Sequence, residues 1–209
     1  MLKLWVVYKN TPLKFISNQE IKWSQELSNL RKREYIHSRS YIRYLISFLV
    51  EIDPRKIPLH APPSQPIKFL DDKFGFLSIS HCKDCLLIAW SKIPIGVDVE
   101  NINRSKNIKK ITRKFVNISE NYLLDNDENS NFYPIKLWTV KEAAVKWKSS
   151  QNKNFLNDWI CNFKDNNVLN FKTNERASFY SFKFIDWQIA IVSKNFSYID
   201  FPIICLVKN

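Results

Sequence analysis

Two carboxylates separated by one residue stand in the segment PIGVDVE, residues 94–100. Side chains alternate between the two faces of a β-strand, so Asp98 and Glu100 would share a face while the valines between them turn toward a core. Their positions lie about 6.6 Å apart along a strand, close enough for flexible carboxylates to converge on one hard cation such as Mg²⁺. The alternative is a solvated edge strand that carries two ordinary surface acids.

Gly96 lies on the same predicted face as these carboxylates and is one of only two glycines in 209 residues. A glycine inside a strand leaves room for a ligand or for another backbone to approach closely. We therefore expect a specific reason for it at this position.

The segment WTVKEAAVKW, residues 138–147, has the pattern of a helix with Glu142 and Lys146 one turn apart on one face. Glu142 could serve as a third metal carboxylate or as a general base, and Lys146 could hold a phosphate. An ordinary surface ion pair is the alternative interpretation.

The segment LSISHC, residues 77–82, ends a predicted strand, so Ser80 and His81 precede a turn. Both side chains can donate hydrogen bonds to phosphate oxygens. A purely structural turn histidine is the alternative, and we interpret His37 and His60 as structural.

The elements that must position these residues follow from hydrophobic periodicity. Strands are predicted over residues 2–8, 76–79, 86–90 and 95–100, and again from residue 159 onward. Helices are predicted over residues 38–50, 108–115 and 133–148. Residues 117–124 hold an imperfect capping-box pattern, and an extended Pro-rich loop over 54–66 and a polar loop over 125–131 are also predicted. Helices followed by short antiparallel strands in each half predict an α+β fold with a seam near residue 95.

The charge is strongly positive, with 32 Lys and Arg against 20 Asp and Glu and a net charge of +12. This favours an anionic partner: nucleic acid, an acidic protein, a phosphorylated ligand or a membrane surface. A nucleic-acid-binding module is the main alternative function, but the sequence has no RNP, helix-turn-helix or zinc pattern.

The four cysteines are interpreted as reduced thiols of a cytoplasmic protein, because Cys82 and Cys85 are the only closely spaced pair and a zinc site needs a second one. The N-terminal segment lacks the features of a signal peptide. The longest apolar run, near residues 44–50, is too short to span a bilayer.

Taken together, Ser80-His81, GVDVE and WTVKEAAVK resemble the 4′-phosphopantetheinyl transferases of the surfactin-synthetase-activating type, in their order and rough spacing. The resemblance covers residues 31–147 well and the last third loosely. It implies a pseudo-dimer of two similar α+β subdomains, residues 1–95 and 96–209, with coenzyme A and Mg²⁺ in the cleft between them. It also implies transfer of phosphopantetheine from coenzyme A to a serine of an acyl or peptidyl carrier protein.

The resemblance implies specific roles for residues at the motif positions. Asp98, Glu100 and Glu142 would hold Mg²⁺, and Glu142 would also be the base for the carrier serine. The coenzyme A phosphates would be contacted by Ser80, His81, Lys141 and Lys146, and the adenosine 3′-phosphate by Arg31 and Arg43. On this basis a side chain at Gly96 would crowd the diphosphate or the facing subdomain.

Four positions depart from the family pattern: Ile67, Phe69, Ser78 and Cys82. Lys68 stands in Ile67-Lys68-Phe69, where the family has Gly-Lys-Pro, and it is assigned to the coenzyme A site on position alone. Ser78 replaces the Asn usual before Ser-His, and Cys82 replaces the Ser or Thr that follows. The resemblance further implies a monomer with an acidic carrier protein as partner, the carrier of fatty acid biosynthesis being the simplest choice; neither nucleic acid nor a membrane is expected as a partner.

Overall fold

The computed structural model describes residues 2–103, 108–120, 132–148, 155–194 and 203–207. The helices are α1 (Asn18–Ser24), α2 (Asn29–Val50), α3 (Ile108–Thr112) and α4 (Phe132–Lys148). The strands of the first half are β1 (Leu2–Tyr8), β2 (Leu59–His60), β3 (Lys68–Phe69), β4 (Phe76–His81) and β5 (Cys85–Ser91). The remaining strands are β6 (Ile95–Asn101), β7 (Trp159–Asn162), β8 (Asn167–Asn170), β9 (Glu175–Phe184), β10 (Trp187–Ser193) and β11 (Ile203–Val207).

The first sheet has the strand order β11-β1-β5-β4, in which β11 is parallel to β1 and the other neighbours are antiparallel. Alternation along β1 sends Trp5 and Val7 toward α2, where they pack with Tyr41, Ile42 and Ile46. A buried helix face on one side of this sheet therefore forms the core of the first half.

The second sheet has the strand order β6-β10-β9-β8-β7 and is antiparallel throughout. Helix α4 covers one of its faces, where Val140, Ala143 and Ala144 pack against Ala190 and Val192. Small residues on this helix face let α4 lie close to the sheet.

A third apolar cluster joins the two sheets through the faces that the helices leave uncovered. Leu4 and Leu87 of the first sheet meet Val97 and Ile189 of the second, and all four are fully buried or nearly so. The layers therefore run helix, sheet, sheet, helix. The Val97 amide also donates to Ser78 Oγ at 3.0 Å. Ser78, which stands where the family usually has Asn, therefore links the edge of β4 to β6.

The α+β class predicted from the sequence is confirmed, and so are β1, β4, β5, β6 and α4 to within two residues. Helix α2 begins nine residues earlier than predicted, at Asn29, and α3 ends after a single turn at Thr112. In the described part of the chain, the capping-box pattern over residues 117–124 corresponds to a 3₁₀ turn at Ile118–Glu120. The predicted loop over 125–131 lies outside the described residues.

The last described strand returns to the first half of the molecule. Strand β11 pairs with β1, with Trp5 opposite Cys205, so residues on both sides of the predicted seam build the first sheet. The division into residues 1–95 and 96–209, and the pseudo-dimer, stay predictions. Within the described residues, no helix has both the length and the apolar character needed to cross a membrane.

Candidate active site

Three of the predicted residues form a closed hydrogen-bonded group where β4, β6 and the last turn of α4 meet. Ser80 Oγ donates to Asp98 Oδ1 at 2.6 Å. Lys146 Nζ donates to the same Asp98 oxygen at 2.7 Å and to Ser80 Oγ at 2.9 Å. Ser80 and Asp98 are buried, so the ammonium and the carboxylate interact where water screens them little.

Local packing explains why Asp98 points at α4. Val97 and Val99 are buried between the two sheets, and alternation then turns Asp98 toward the helix-covered face of β6. Glu142 lies one turn before Lys146 on the same helix, and both it and Glu100 are half-buried. The sequence motifs thus come from two elements that pack directly against each other.

Gly96 is required by that packing. A Cβ at this position would collide with the carbonyl oxygen of Ala143 and the backbone of Trp147, whose Cα would be only 2.8 Å away. The obstacle is thus helix α4, which follows β6 in the same half of the chain, and not the facing subdomain as expected. Crowding of a diphosphate by a side chain at this position stays a prediction.

Asp98 retains one unsatisfied oxygen. Asp98 is 4% exposed, and its Oδ2 is buried without a hydrogen-bond partner among the described residues. A buried carboxylate oxygen that lacks a donor is costly, and hard cations such as Mg²⁺ prefer such oxygens as ligands. Asp98 therefore fits a magnesium ligand. The described residues contain no ready group of three or more His, Cys, Asp or Glu side chains arranged to hold a metal, so the predicted set of three carboxylates is not pre-assembled.

His81 ends β4 and faces a different group of charges. Its Nε2 lies 3.7 Å from Glu34 Oε2, and Lys9 Nζ donates to the other Glu34 oxygen at 2.7 Å. Burial lowers the pKa of His81 below its ordinary value, although Glu34 opposes this; the charges of Lys9, Lys146 and Arg39 lower it further. In the protein alone, the imidazole is therefore mainly neutral at pH 7.

A pocket of about 340 Å³ opens beside His81. Its lining carries the cationic side chains of Lys9, Arg33 and Lys83, together with Leu30, Glu34, His37, Ser38, His81 and Leu86. Arg31 is exposed in the same first turns of α2. Of these cations, only Arg31 was indicated by the sequence, through the family resemblance. Lys9 and Lys83 carried no signal because they reach the start of α2 only through the folding of β1 and the β4–β5 turn.

Arg43 lies inside the first half, where it binds residues of its own chain. It is 5% exposed, and its Nε donates to Glu20 Oε2 at 2.9 Å. Its Nη1 donates to the carbonyl oxygens of Pro54 and Ile57. Its contact with a nucleotide phosphate stays a prediction. Its intramolecular partners show that Arg43 holds α1, and the loop that follows α2, against α2.

Lys141 is likewise bound within the protein. It is fully buried, and its Nζ donates to Glu120 Oε2 at 2.7 Å and to the carbonyl oxygens of Phe115 and Trp159 at 3.1 and 2.6 Å. Neighbouring residues on a helix point about 100° apart, so Lys141 faces the interior while Glu142 faces β6. Its assignment to the coenzyme A phosphates stays a prediction that these contacts do not favour.

Lys68 is exposed on β3, which pairs only with β2 in a two-stranded ribbon within the described residues. The structure does not bring it into the group formed by Ser80, Asp98 and Lys146. Its predicted role also stays a prediction.

Comparison with known proteins agrees with the geometry of the site. The model of the 4′-phosphopantetheinyl transferase superfamily matches residues 94–196, which include β6 and α4. The chain is similar to the 4′-phosphopantetheinyl transferase gsp of Aneurinibacillus migulanus, with 28% identity over 139 residues that cover 57% of this chain and 56% of that protein. The chain thus aligns with little more than half the length of this curated relative. The matched region carries the GxDxE and WxxKEAxxK motifs, which Asp98 and Lys146 join, so the chain is similar to the 4′-phosphopantetheinyl transferase superfamily and to its surfactin-synthetase-activating type.

Proposed function

We propose that this protein is a 4′-phosphopantetheinyl transferase that moves the phosphopantetheine arm of coenzyme A to a serine of an apo carrier protein. The observation that carries the proposal is the group formed by Ser80, Asp98 and Lys146. It combines phosphate donors with a carboxylate, which is what a reaction at a diphosphate needs, and it is built from the family's own motifs.

The proposed hydrogen-bond donors to the diphosphate come from two elements, β4 with Ser80 and α4 with Lys146. Lys146 and Ser80 bind Asp98 Oδ1 and each other, which holds both side chains in a poorly hydrated site. Ser80 has a single hydroxyl proton, which Asp98 accepts, so this hydroxyl would turn from Asp98 to a phosphate oxygen when the ligand binds. Donors held in place in this way stabilise charge that develops on phosphate oxygens. His81 would add a further donor at the edge of the group, where β4 ends.

Asp98 Oδ2, Glu100 and Glu142 are the groups that would hold Mg²⁺. The ion, when bound, would neutralise the charge of the diphosphate and help the nucleotide to leave. Lys146 already satisfies Oδ1 of Asp98, so the remaining oxygen of the same carboxylate is the one available for this contact.

Glu142 is the proposed general base. In the reaction the carrier serine oxygen forms a bond to the β-phosphorus of coenzyme A, the bond to the nucleotide breaks, and 3′,5′-ADP leaves. The serine proton passes to the Glu142 carboxylate, directly or through one water. The position of Glu142 on α4, one turn from Lys146, would bring the base and the phosphate clamp to the same side of the ligand.

The basic pocket beside His81 is the proposed site for the nucleotide end of coenzyme A. Lys9, Arg33 and Lys83 line it, and Arg31 lies nearby on α2. Such a concentration of cations attracts the 3′-phosphate, and it supports Arg31 more than the buried Arg43 for this role.

The proposed protein partner is an acidic acyl or peptidyl carrier protein, met by a monomeric transferase in the cytoplasm. Lys110, Arg113 and Lys114 are exposed on and just after α3, and a positive surface of this kind speeds encounter with an acidic partner. Lys106, which precedes α3 in the sequence and belongs to the same basic stretch, lies outside the described residues. The carrier protein of fatty acid biosynthesis is the first one to test.

The experiment is to incubate the protein with coenzyme A, Mg²⁺ and an apo carrier protein, and to measure the intact mass of the carrier. We expect a mass gain equal to one phosphopantetheine, located on a serine and abolished by a chelator. Glu142→Gln and Asp98→Asn should abolish this mass gain while the far-ultraviolet circular dichroism spectrum stays unchanged. Lys172→Gln, at the β8–β9 turn and distant in sequence from these motifs, is the matched control and should keep the mass gain. Unmodified carrier with every apo carrier class tested would refute the proposal, as would near-normal turnover by Glu142→Gln.

A further inference from the structure

The turn between β4 and β5 begins and ends with a cysteine. Cys82 and Cys85 flank the two-residue turn Lys83-Asp84, and the Cys82 amide donates to the Cys85 carbonyl oxygen at 3.0 Å. Lys9 donates its backbone amide to the Asp84 carbonyl oxygen, which attaches the turn to the end of β1. The two cysteines are thus held opposite each other by a defined hairpin, and no step of the proposed transfer uses them.

The two thiols are close enough to react with each other. The backbone bond of the turn places them side by side, and each thiol shifts the pKa of the other. Hydrogen-bonded residue pairs in antiparallel strands have Cα atoms about 5.5 Å apart, inside the range of about 4.4–6.8 Å found in disulfides. A disulfide can therefore form here without separating β4 from β5. Both thiols are free in the structure, as are those of Cys161 in β7 and Cys205 in β11.

The two cysteines differ in reactivity. Cys82 is partly exposed, and its pKa is lowered by the Cys85 thiol and by backbone amides of the turn, against the opposing effects of burial and of Glu100. Cys85 is buried, and the same contact together with burial raises its pKa. The thiolate is the nucleophilic form of cysteine, so Cys82 is the thiol that reacts first and Cys85 the one that closes the bond.

We propose that Cys82 and Cys85 form a peroxide-sensitive dithiol whose reversible disulfide weakens coenzyme A binding. The oxidant is a hydroperoxide. The Cys82 thiolate attacks its terminal oxygen, which breaks the O–O bond and gives a sulfenic acid and, with hydrogen peroxide, hydroxide. The Cys85 sulfur then attacks the Cys82 sulfur and water leaves, so two thiols and one peroxide become one disulfide and two waters. A dithiol reductant reverses the change by exchange.

The effect on binding rests on the proposed function and follows from the position of the pair. Cys82 directly follows His81 and Ser80, and its side chain packs against the apolar cluster between the two sheets. Cys85 belongs to the same cluster, so bond formation pulls the Cys82 sulfur further toward the core and shifts the end of β4 while β4 and β5 stay paired. Ser80 is bound to Asp98 and Lys146 at 2.6 and 2.9 Å, and displacement of such a group by about 1 Å is enough to cost a site up to ~100-fold.

Peptide mapping tests the chemistry without any use of activity. Trypsin cleaves after Lys83, so a Cys82–Cys85 disulfide holds together two tryptic peptides that a reductant separates. After treatment of the reduced full-length protein with hydrogen peroxide, and blocking of the remaining thiols by alkylation, we expect this linked pair. Cys205→Ser, the matched control, should keep the linked pair, and Cys85→Ser should lose it. Absence of the link in the wild-type protein, or oxidation confined to Cys205, would overturn the proposal.

Isothermal titration with coenzyme A tests the consequence. Oxidation should raise the dissociation constant about tenfold in the wild-type protein and in Cys205→Ser, with recovery after reduction, and should leave Cys85→Ser near the reduced value. A linked pair with an unchanged dissociation constant would overturn the proposed effect. A linked pair in a protein that binds no coenzyme A even when reduced would refute the proposed function and the effect on binding, while the thiol chemistry would stand.

Discussion

Replacement of Lys141 by methionine should destabilise the fold without touching the active site. The ammonium group of Lys141 is fully buried and has three acceptors: a Glu120 oxygen at 2.7 Å and the carbonyl oxygens of Phe115 and Trp159. Methionine fills a similar volume, so the change removes the charge and its donors with little loss of packing. The family motif assigns this lysine to coenzyme A, and its contacts assign it to the core, so the variant separates the two roles.

The expected size of the effect follows from what the variant leaves behind. Glu120 would keep the Asn117 and Cys161 amides as donors but would lose its cation in a buried environment. Breaking a buried ion pair by removal of one partner costs about 3–5 kcal/mol. For a chain of this size, that loss lowers the melting temperature by roughly 6–20 °C.

Urea unfolding followed by tryptophan fluorescence measures the free energy, and titration with coenzyme A at a temperature where the variant is folded measures binding. Lys148→Met, at the half-buried end of the same helix, is the control and should cost less than about 1 kcal/mol. The double variant Glu120→Gln/Lys141→Met removes the isolated charge and should recover part of the stability. A Lys141→Met protein that is as stable as the wild type but no longer binds coenzyme A would refute the reasoning.

The remaining predictions concern β6, the catalytic group, the histidine and the carrier. Gly96→Val should lower the free energy of unfolding by about 3 kcal/mol in urea titrations, because its side chain meets the backbone of α4; a stable variant with weakened coenzyme A binding would contradict this. Lys146→Ala should reduce kcat/KM at least about 100-fold in the carrier mass assay while thermal stability falls little, and a loss under tenfold would argue against its role. As the pH is lowered from about 8 to about 6, the affinity for coenzyme A should rise, because burial keeps His81 neutral in the free protein and a bound phosphate favours its protonated form. Calorimetry should show a weaker pH dependence of the affinity in His81→Asn, and an unchanged pH dependence would contradict this role. Charge reversal at Lys110 and Arg113 should raise KM for the carrier protein and spare that for coenzyme A, and equal effects on both would argue against α3 as the docking surface.

Much of the site could be predicted because it depends on short-range patterns. Alternation along β6 fixes the side of Asp98 once the valines are buried, and the spacing of Glu142 and Lys146 follows from the helical repeat. The contact between Asp98 and Lys146 required only that these two elements pack together, which the family motifs also imply.

The assignments that the contacts do not favour concern the faces of elements and distant partners. A helix motif does not say which of two adjacent residues faces the core, so it places both Lys141 and Glu142 at the active site. The sequence pattern also gives no sign of the partner of Arg43, because Glu20 lies in helix α1, which was not predicted. That helix had a readable signal in the capping box of Ser17 and Glu20, whose side chain and backbone groups bond reciprocally. The parallel pairing of β11 with β1 depends on residues about two hundred positions apart and left no local pattern.

The pairing of β11 with β1 has a consequence for synthesis of the protein on the ribosome. Strand β11, which covers the outer edge of β1, is synthesised about two hundred residues after it. Until β11 emerges from the exit tunnel, that edge presents unpaired backbone groups to other nascent chains, which is the arrangement that favours aggregation. A deletion of residues 203–207 would leave this edge of β1 exposed permanently, so we expect it to lower the yield of soluble protein on expression.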